Sequence, residues 1–110
     1  YGAMHVLCQK LIEKYPDAVI VFMTPLHRLS EDSMTKEFGA PEEINLAGYV
    51  EIIKEVAGFY GLPVLDLFHI SGLQPKVDII REKFMPDGLH PSNAGAERLA
   101  RRVYGFLSTL

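Results

Sequence analysis

Asp87 and His90 stand three positions apart in Asp87-Gly88-Leu89-His90-Pro91, a spacing at which one tight turn supplies both a base and the group that orients it. A neutral imidazole takes a proton through one ring nitrogen only when the other carries hydrogen. A neighbouring carboxylate selects that tautomer and stabilises the imidazolium once it forms. Those roles fall to His90 as base and Asp87 as orienter. The same residues also suit an Asx-type turn leading into a helix, with no catalytic role.

The next few residues must position the pair. Pro91 presets the backbone for a helix start, and Ser92 or Asn93 is placed to cap the N–H groups of Gly95 and Ala96. His90 then sits at the positive end of a helix dipole, which opposes its protonation, while the Asp87 carboxylate favours it.

Upstream, hydrophobic spacing predicts a helix from about Ala3 to Lys14, with Met4, Leu7, Cys8, Leu11 and Tyr15 on one stripe and Pro16 beyond its end. Cys8 reads as a buried structural thiol, and His5 as an exposed or rim position. Asp17 to Thr24 reads as a strand. Its continuous apolar run from Ala18 to Met23 suits a parallel sheet covered on both faces. A polar stretch from Pro25 to Pro41 comes next, containing His27, Arg28, Glu31, Asp32 and Lys36, and its length marks it as functional or mobile.

A second helix is expected from about Ile44 to Tyr60, burying Leu46, Tyr49, Ile52, Ile53, Val56 and Phe59 and stopping at Gly61. Pro63 to Leu67 reads as a short strand, so that strand, loop, helix and strand form a right-handed βαβ crossover with parallel strands. Asp66 interrupts that apolar run and needs a hydrogen-bond partner or a place at the strand's exit. His69 to Gln74 reads as a turn region and Val77 to Lys83 as a short helix. A last helix, Asn93 to Ser108, is expected to bury Ala96, Leu99, Ala100, Val103, Phe106 and Leu107 against the sheet, with Arg98, Arg101 and Arg102 on a solvated face beside Glu97.

The segment Phe84-Met85-Pro86-Asp87-Gly88-Leu89-His90-Pro91-Ser92-Asn93-Ala94-Gly95 resembles the last conserved block of the SGNH (GDSL-type) serine ester hydrolases. Pro16 to Pro25 resembles a central strand of that family ending in Thr-Pro, and Leu62 to Phe68 resembles its final strand. Tyr1-Gly2-Ala3 resembles the residues that commonly come after the family's Gly-x-Asn-Asp block. The resemblance implies a flavodoxin-like, three-layer α/β/α domain with a parallel sheet, of which residues 1–110 form the C-terminal part, a partial single domain without its N-terminal strands. It also implies that Asp87 and His90 complete a Ser-His-Asp triad, and that the loop after the first strand borders the active site, which makes His27 and Arg28 candidate substrate contacts. An exposed loop without a ligand is the alternative for those two.

The family's Gly-Asp-Ser nucleophile block and its oxyanion-hole Gly and Asn lie N-terminal to the matched region. Ser30, Ser33, Ser71, Ser92 and Ser108 are the serines present, none in a Gly-Asp-Ser or Gly-x-Ser-x-Gly setting. The expectation is therefore the C-terminal half of an ester hydrolase acting on a small acyl ester, with acid and base kept, the nucleophile elsewhere, and no activity of its own. The reading from another class is a non-catalytic binding or assembly piece that self-associates, by edge pairing or strand exchange, through the sheet edge left bare beside Ala18–Met23.

Composition narrows the remaining classes. With 110 residues, 48% hydrophobic and 23% charged, the chain can bury roughly 65% of its unfolded surface, enough for one small core. A net charge of −3 argues against a nucleic-acid partner, since phosphate binding along a polyanion needs a basic face. One cysteine excludes an internal disulfide, and the longest apolar run is too short to span a bilayer. His5, His27, His69 and His90 show no helical ligand spacing, so no metal and no cofactor is expected. Localisation stays open.

Overall fold

Residues 1–30, 35–36 and 43–110 are described by the structure, a computed structural model. They gather into two compact units, one running from Tyr1 to Thr24 and resuming through Leu65, the other holding residues 25–30 and Asp66–Leu110.

The first unit begins with helix α1, Gly2–Lys14, which ends at Tyr15, whose N–H reaches the Leu11 carbonyl at 2.9 Å. Pro16 has no N–H to continue the ladder. Cys8 is fully buried, as expected, and burial pushes its thiol pKa up, which keeps it unreactive. The stripe around it is narrower than its spacing suggests, since Leu7 and Tyr15 are exposed. His5 is half-buried, the rim position among the two expected. Its Nδ1 lies 2.9 Å from the Tyr60 hydroxyl, and its ring meets Tyr1, Phe59 and Tyr60 edge-on. Gln9 donates to the same hydroxyl at 3.0 Å, so these polar contacts fasten α1 beside helix α2, Leu46–Phe59.

Helix α2 starts where the Asn45 side chain accepts the Gly48 N–H at 2.9 Å and stops at Gly61, whose φ of +71° only glycine adopts readily. Its most buried residues are Val50, Val56 and Ala57, with Leu46, Tyr49, Ile52 and Ile53 half-buried beside them. Phe59, expected in the core, is 75% exposed. Each fully buried aliphatic side chain contributes about 1.5–3 kcal/mol relative to exposure.

Strands β1, Phe22–Met23, and β4, Val64–Leu65, pair in parallel with Phe22 opposite Val64 and Met23 opposite Leu65, and α2 lies between them in sequence. Flanking bonds from Phe22 N–H to the Pro63 carbonyl and from Thr24 N–H to the Leu65 carbonyl, both 3.0 Å, extend the ladder by a residue. The chain is thus a mixed α/β protein with a parallel strand pair. Of the expected strand from Asp17 to Thr24, only this end is regular. Val19 is 72% exposed and Met23 53%, so the apolar run is not covered on both faces by these residues. Strand β2, Thr35–Lys36, inside the polar stretch from Pro25 to Pro41, pairs antiparallel with β3, Glu43–Ile44, which takes up the Ile44 expected to begin the second helix. Glu31, Asp32, Ser33 and Pro41 lie outside the described residues.

In the second unit, the chain leaving β4 turns at once into helix α3, Leu67–Ile70, rather than continuing as strand to Leu67 and as a turn from His69. The cause is Asp66, whose carboxylate accepts the His69 N–H and caps the new helix. Helix α4, Asp78–Phe84, comes next, with Arg81 donating to the Pro75 carbonyl at 2.7 Å and to Asp78 at 2.8 Å. Leu73, Phe84 and Met85 form the buried core, with Leu26, Ile80, Ala94 and Leu99 packed against it.

Helix α5, Asn93–Leu107, packs on α4. Gly95 makes the approach possible, because a Cβ there would stand 2.5 Å from the Phe84 carbonyl oxygen. Ala96, Ala100 and Leu107 are exposed instead of buried, while Leu99, Val103 and Phe106 are half-buried. Arg101 pairs with Glu97 at 2.8 Å on the solvated face as expected, but Arg98 does not belong to that face. It lies over the Phe84 ring at 4.1 Å and donates to the Gly72 carbonyl at 3.4 Å. Among the described residues, no helix is long and apolar enough to cross a membrane.

Candidate functional site

The turn after α4 is built from backbone contacts before any side chain contributes. Gly88 N–H bonds to the Met85 carbonyl at 2.8 Å, and the Gly88 carbonyl accepts the Leu29 N–H at 2.8 Å, which ties the loop after Pro25 to this turn. Gly88 has φ +74°, and a Cβ on it would meet the Leu29 Cβ at 2.8 Å. Glycine is therefore required twice over, for conformation and for space.

Asp87 closes the turn. Its Oδ1 accepts the N–H of Leu89 at 2.8 Å and of His90 at 2.7 Å, the Asx-turn geometry. Its Oδ2 lies 2.6 Å from His90 Nδ1. A proton on Nδ1 is donated to the carboxylate, which leaves the Nε2 lone pair as the basic position. Both readings of the sequence thus describe the same carboxylate: one oxygen makes the Asx turn and the other meets the imidazole. The His90 backbone N–H, its imidazole and the Leu89 N–H together hold the Asp87 carboxyl down at about 2. The pair is open to solvent, with the His90 side chain 75% exposed and the Asp87 side chain 54%.

On the far side of the turn, Ser92 docks the start of α5. Its hydroxyl donates to the Lys83 carbonyl at 2.8 Å and accepts the Gly95 N–H at 3.2 Å, and its own N–H reaches the Phe84 carbonyl at 2.7 Å. The expected cap is therefore Ser92 on Gly95, with Ala96 N–H taken by the Ser92 carbonyl.

Arg28, Leu29, Ser30, Asp87, Gly88 and Leu89 line an open cleft of about 240 Å³. Arg28 is thereby brought beside Asp87, and Ser30 is the hydroxyl in the same lining. His27 and His90 are not in that lining. The His27 ring instead stacks on Phe68, with centroids 3.8 Å apart, so two residues adjacent in the loop serve different surroundings.

A second carboxylate–imidazole pair emerges only in the structure. His69 Nδ1 lies 2.7 Å from Asp66 Oδ2, at the exit of β4, and the His69 ring meets Phe68 edge-on. Asp66-Leu67-Phe68-His69 has the same spacing as Asp87 to His90, so that rule applied along the whole chain would have found it. Among the described residues no group of three His, Cys, Asp or Glu side chains is placed to hold a metal.

Comparison with known proteins adds the fold. No family model and no curated protein matches the sequence. One crystal structure, 36% identical, superposes with a TM-score of 0.84 over 100% of this chain and 52% of its own. The crystal structure of a protein from Lactobacillus plantarum, 26% identical, gives 0.83 over 99% of this chain and 53% of its own. The esterase domain of the ZfL2-1 ORF1 protein from the zebrafish ZfL2-1 retrotransposon, 22% identical, gives 0.65 over 99% and 57%. This chain thus spans little more than half the length of the solved structures it matches, and with the last of them it shares the fold of an esterase domain.

Proposed function

We propose that this chain is the base-bearing portion of a serine ester hydrolase of the SGNH type, a flavodoxin-like, three-layer α/β/α domain whose nucleophile and oxyanion hole come from residues outside these 110. One observation carries the reading: Asp87 holds the His90 backbone N–H with one oxygen and the His90 imidazole with the other. That arrangement fixes tautomer and ring position together. His90 Nε2 would take the proton of an attacking serine hydroxyl and return it to the leaving alcohol, giving an acyl-enzyme that water then hydrolyses. Asp87 keeps Nδ1 protonated and stabilises the imidazolium. Arg28, in the cleft beside Asp87, would contact the acyl ester, and His27, stacked on Phe68, would form a wall at greater remove. The likeness of fold to an esterase domain supports this reading.

Intact mass before and after a fluorophosphonate probe tests it, with release of nitrophenol from a short acyl ester followed in the same sample. The expected result is an unmodified mass and no turnover for this chain. Adding the complementary half of the 36%-identical structure should restore both, and His90→Ala should remove them again. A single adduct on the 110-residue chain alone would overturn the reading and direct attention to Ser30 or Ser33.

A second reading has its own observation. Val19 and Met23 are exposed beside a strand that, among the described residues, pairs only with β4, so this edge suits a self-association partner that adds a strand. Sedimentation at micromolar concentration decides it. A dimer without any hydrolase activity after complementation would favour an assembly piece, and a monomer would count against one.

A further inference from the structure

The cleft between α4 and α5 lies outside the proposed catalytic turn. It has a volume of about 290 Å³ and is lined by Lys83, Phe84, Ala94, Glu97, Arg98 and Arg101. Three of these six side chains are cationic and one is anionic, in a chain whose net charge is −3. The single carboxylate is already engaged, since Glu97 pairs with Arg101 at 2.8 Å. The other two cations rest on an aromatic ring instead. Lys83 Nζ stands 5.3 Å from the Phe84 centroid and Arg98 Cζ stands 4.1 Å from it. Phe84 belongs to the buried core, and its ring gives both cations a contact that leaves their charge intact.

The backbone around the cleft offers little opposition to an anion. The carbonyls at the end of α4 would repel an anion, but those of Lys83 and Phe84 are taken by the Ser92 hydroxyl and N–H at 2.8 and 2.7 Å. Arg98 also donates to the Gly72 carbonyl, which anchors its guanidinium from behind and leaves further N–H donors for a ligand. A planar fork and an ammonium lining one cleft suit an oxyanion with several oxygens.

From this geometry we propose that the α4–α5 cleft binds a small phosphate-bearing molecule, with Arg98 and Lys83 as its principal contacts and Glu97 limiting its affinity. The cleft sits at the low end of the size range of ligand sites, which suits a phosphate group with little attached to it. The acidic balance of the rest of the chain disfavours a long polyanion at the same place. The inference stands apart from the hydrolase reading, because neither Asp87 nor His90 lines this cleft.

NMR titration of the 110-residue chain with inorganic phosphate and with pyrophosphate, at constant ionic strength held with chloride, tests it. The expected result is saturable shifts centred on Lys83 to Arg101, stronger for pyrophosphate than for phosphate and absent with acetate. Arg98→Gln and Lys83→Gln should each weaken binding about tenfold, since a charge-assisted hydrogen bond is lost in each. Glu97→Gln should strengthen it several-fold by removing the repelling charge. Arg98→Lys keeps a cation over Phe84 and guards against loss of folding, and it should retain part of the affinity. Absence of saturable pyrophosphate binding, or binding unchanged in folded Lys83→Gln and Arg98→Lys, would overturn the proposal.

Discussion

Two Asp-x-x-His segments in one unit of this molecule make nearly the same side-chain contact in different settings. The Asp66–His69 pair has Oδ2 and Nδ1 2.7 Å apart, and the Asp87–His90 pair 2.6 Å. Asp66 caps a four-residue helix through one backbone N–H at 3.3 Å, and its side chain is 18% exposed against 48% for His69. Asp87 instead gathers two backbone N–H groups at 2.8 and 2.7 Å in a turn that glycine alone permits, beside a cleft shared with Arg28 and Ser30. The comparison teaches that this spacing by itself produces a paired imidazole. What distinguishes a candidate active pair is the surrounding backbone, which fixes the carboxylate and leaves open space next to it.

The largest expected effect tests that distinction directly. In the complemented hydrolase, His90→Ala should lower turnover by about 10⁶-fold, the scale for removal of a triad histidine. His69→Ala should change it by a few-fold at most. Steady-state kinetics on both variants would reverse the assignment if His69 proved the more damaging.

Backbone substitutions sharpen the contrast. Gly88→Ala should destabilise the chain by about 2–3 kcal/mol, combining left-handed strain with a clash on Leu29. Gly72, just after α3, has the same φ of +74°, but a Cβ there meets only the far end of the Arg98 side chain at 3.4 Å. Gly72→Ala should therefore cost about 1–2 kcal/mol, from strain alone. Denaturant unfolding of the two variants measures the difference, and equal losses would show that the Leu29 contact contributes nothing.

Cap removal gives a smaller effect. Asp66→Ala should cost about 1 kcal/mol and Asp66→Asn only a few tenths, since the amide oxygen still accepts the His69 N–H. Thermal unfolding resolves the two.

The pH dependence is the finest test. Asp87 has its folded-state pKa held at about 2, below that of an unfolded carboxyl near 3.9. A depressed value means that the ionised group stabilises the folded turn above the unfolded pKa. That contribution is lost as pH falls through about 2. The Asp87 carboxyl ¹³C resonance should then titrate near 2, and the low-pH change at the His90 ring should vanish in Asp87→Asn. Titration near 4 would mean that the three N–H contacts do not persist in solution.

Much of the site was legible in the residues. The helix start at Ser92, the stop at Gly61 and the turn through Gly88 all arise from local chemistry, in which a side-chain oxygen satisfies a free N–H or a glycine accepts positive φ, whereas the cap at Asn45 was missed because Ile44 fitted the apolar spacing of the helix. Asp66 shows the limit: the sequence marked it as needing a partner, but the strand pattern around it concealed that its partner was the start of a new helix.

By itself, the sequence determined helices α1, α2, α4 and α5, the buried thiol at Cys8 and the Asp87–His90 contact, because each depends on residues within a few positions of one another, while β2, β3 and α3 were not legible in it. Only the tertiary structure decided the rest. Phe59 turned outward while Val50 and Ala57 turned inward, and Arg98 left the solvated face to lie over Phe84. The loop at Leu29 was pinned to Gly88, which set Arg28 beside Asp87 and His27 against Phe68. Those outcomes depend on which surfaces approach closely enough to exclude water, and spacing along one helix or loop carries no information about the shape that meets it.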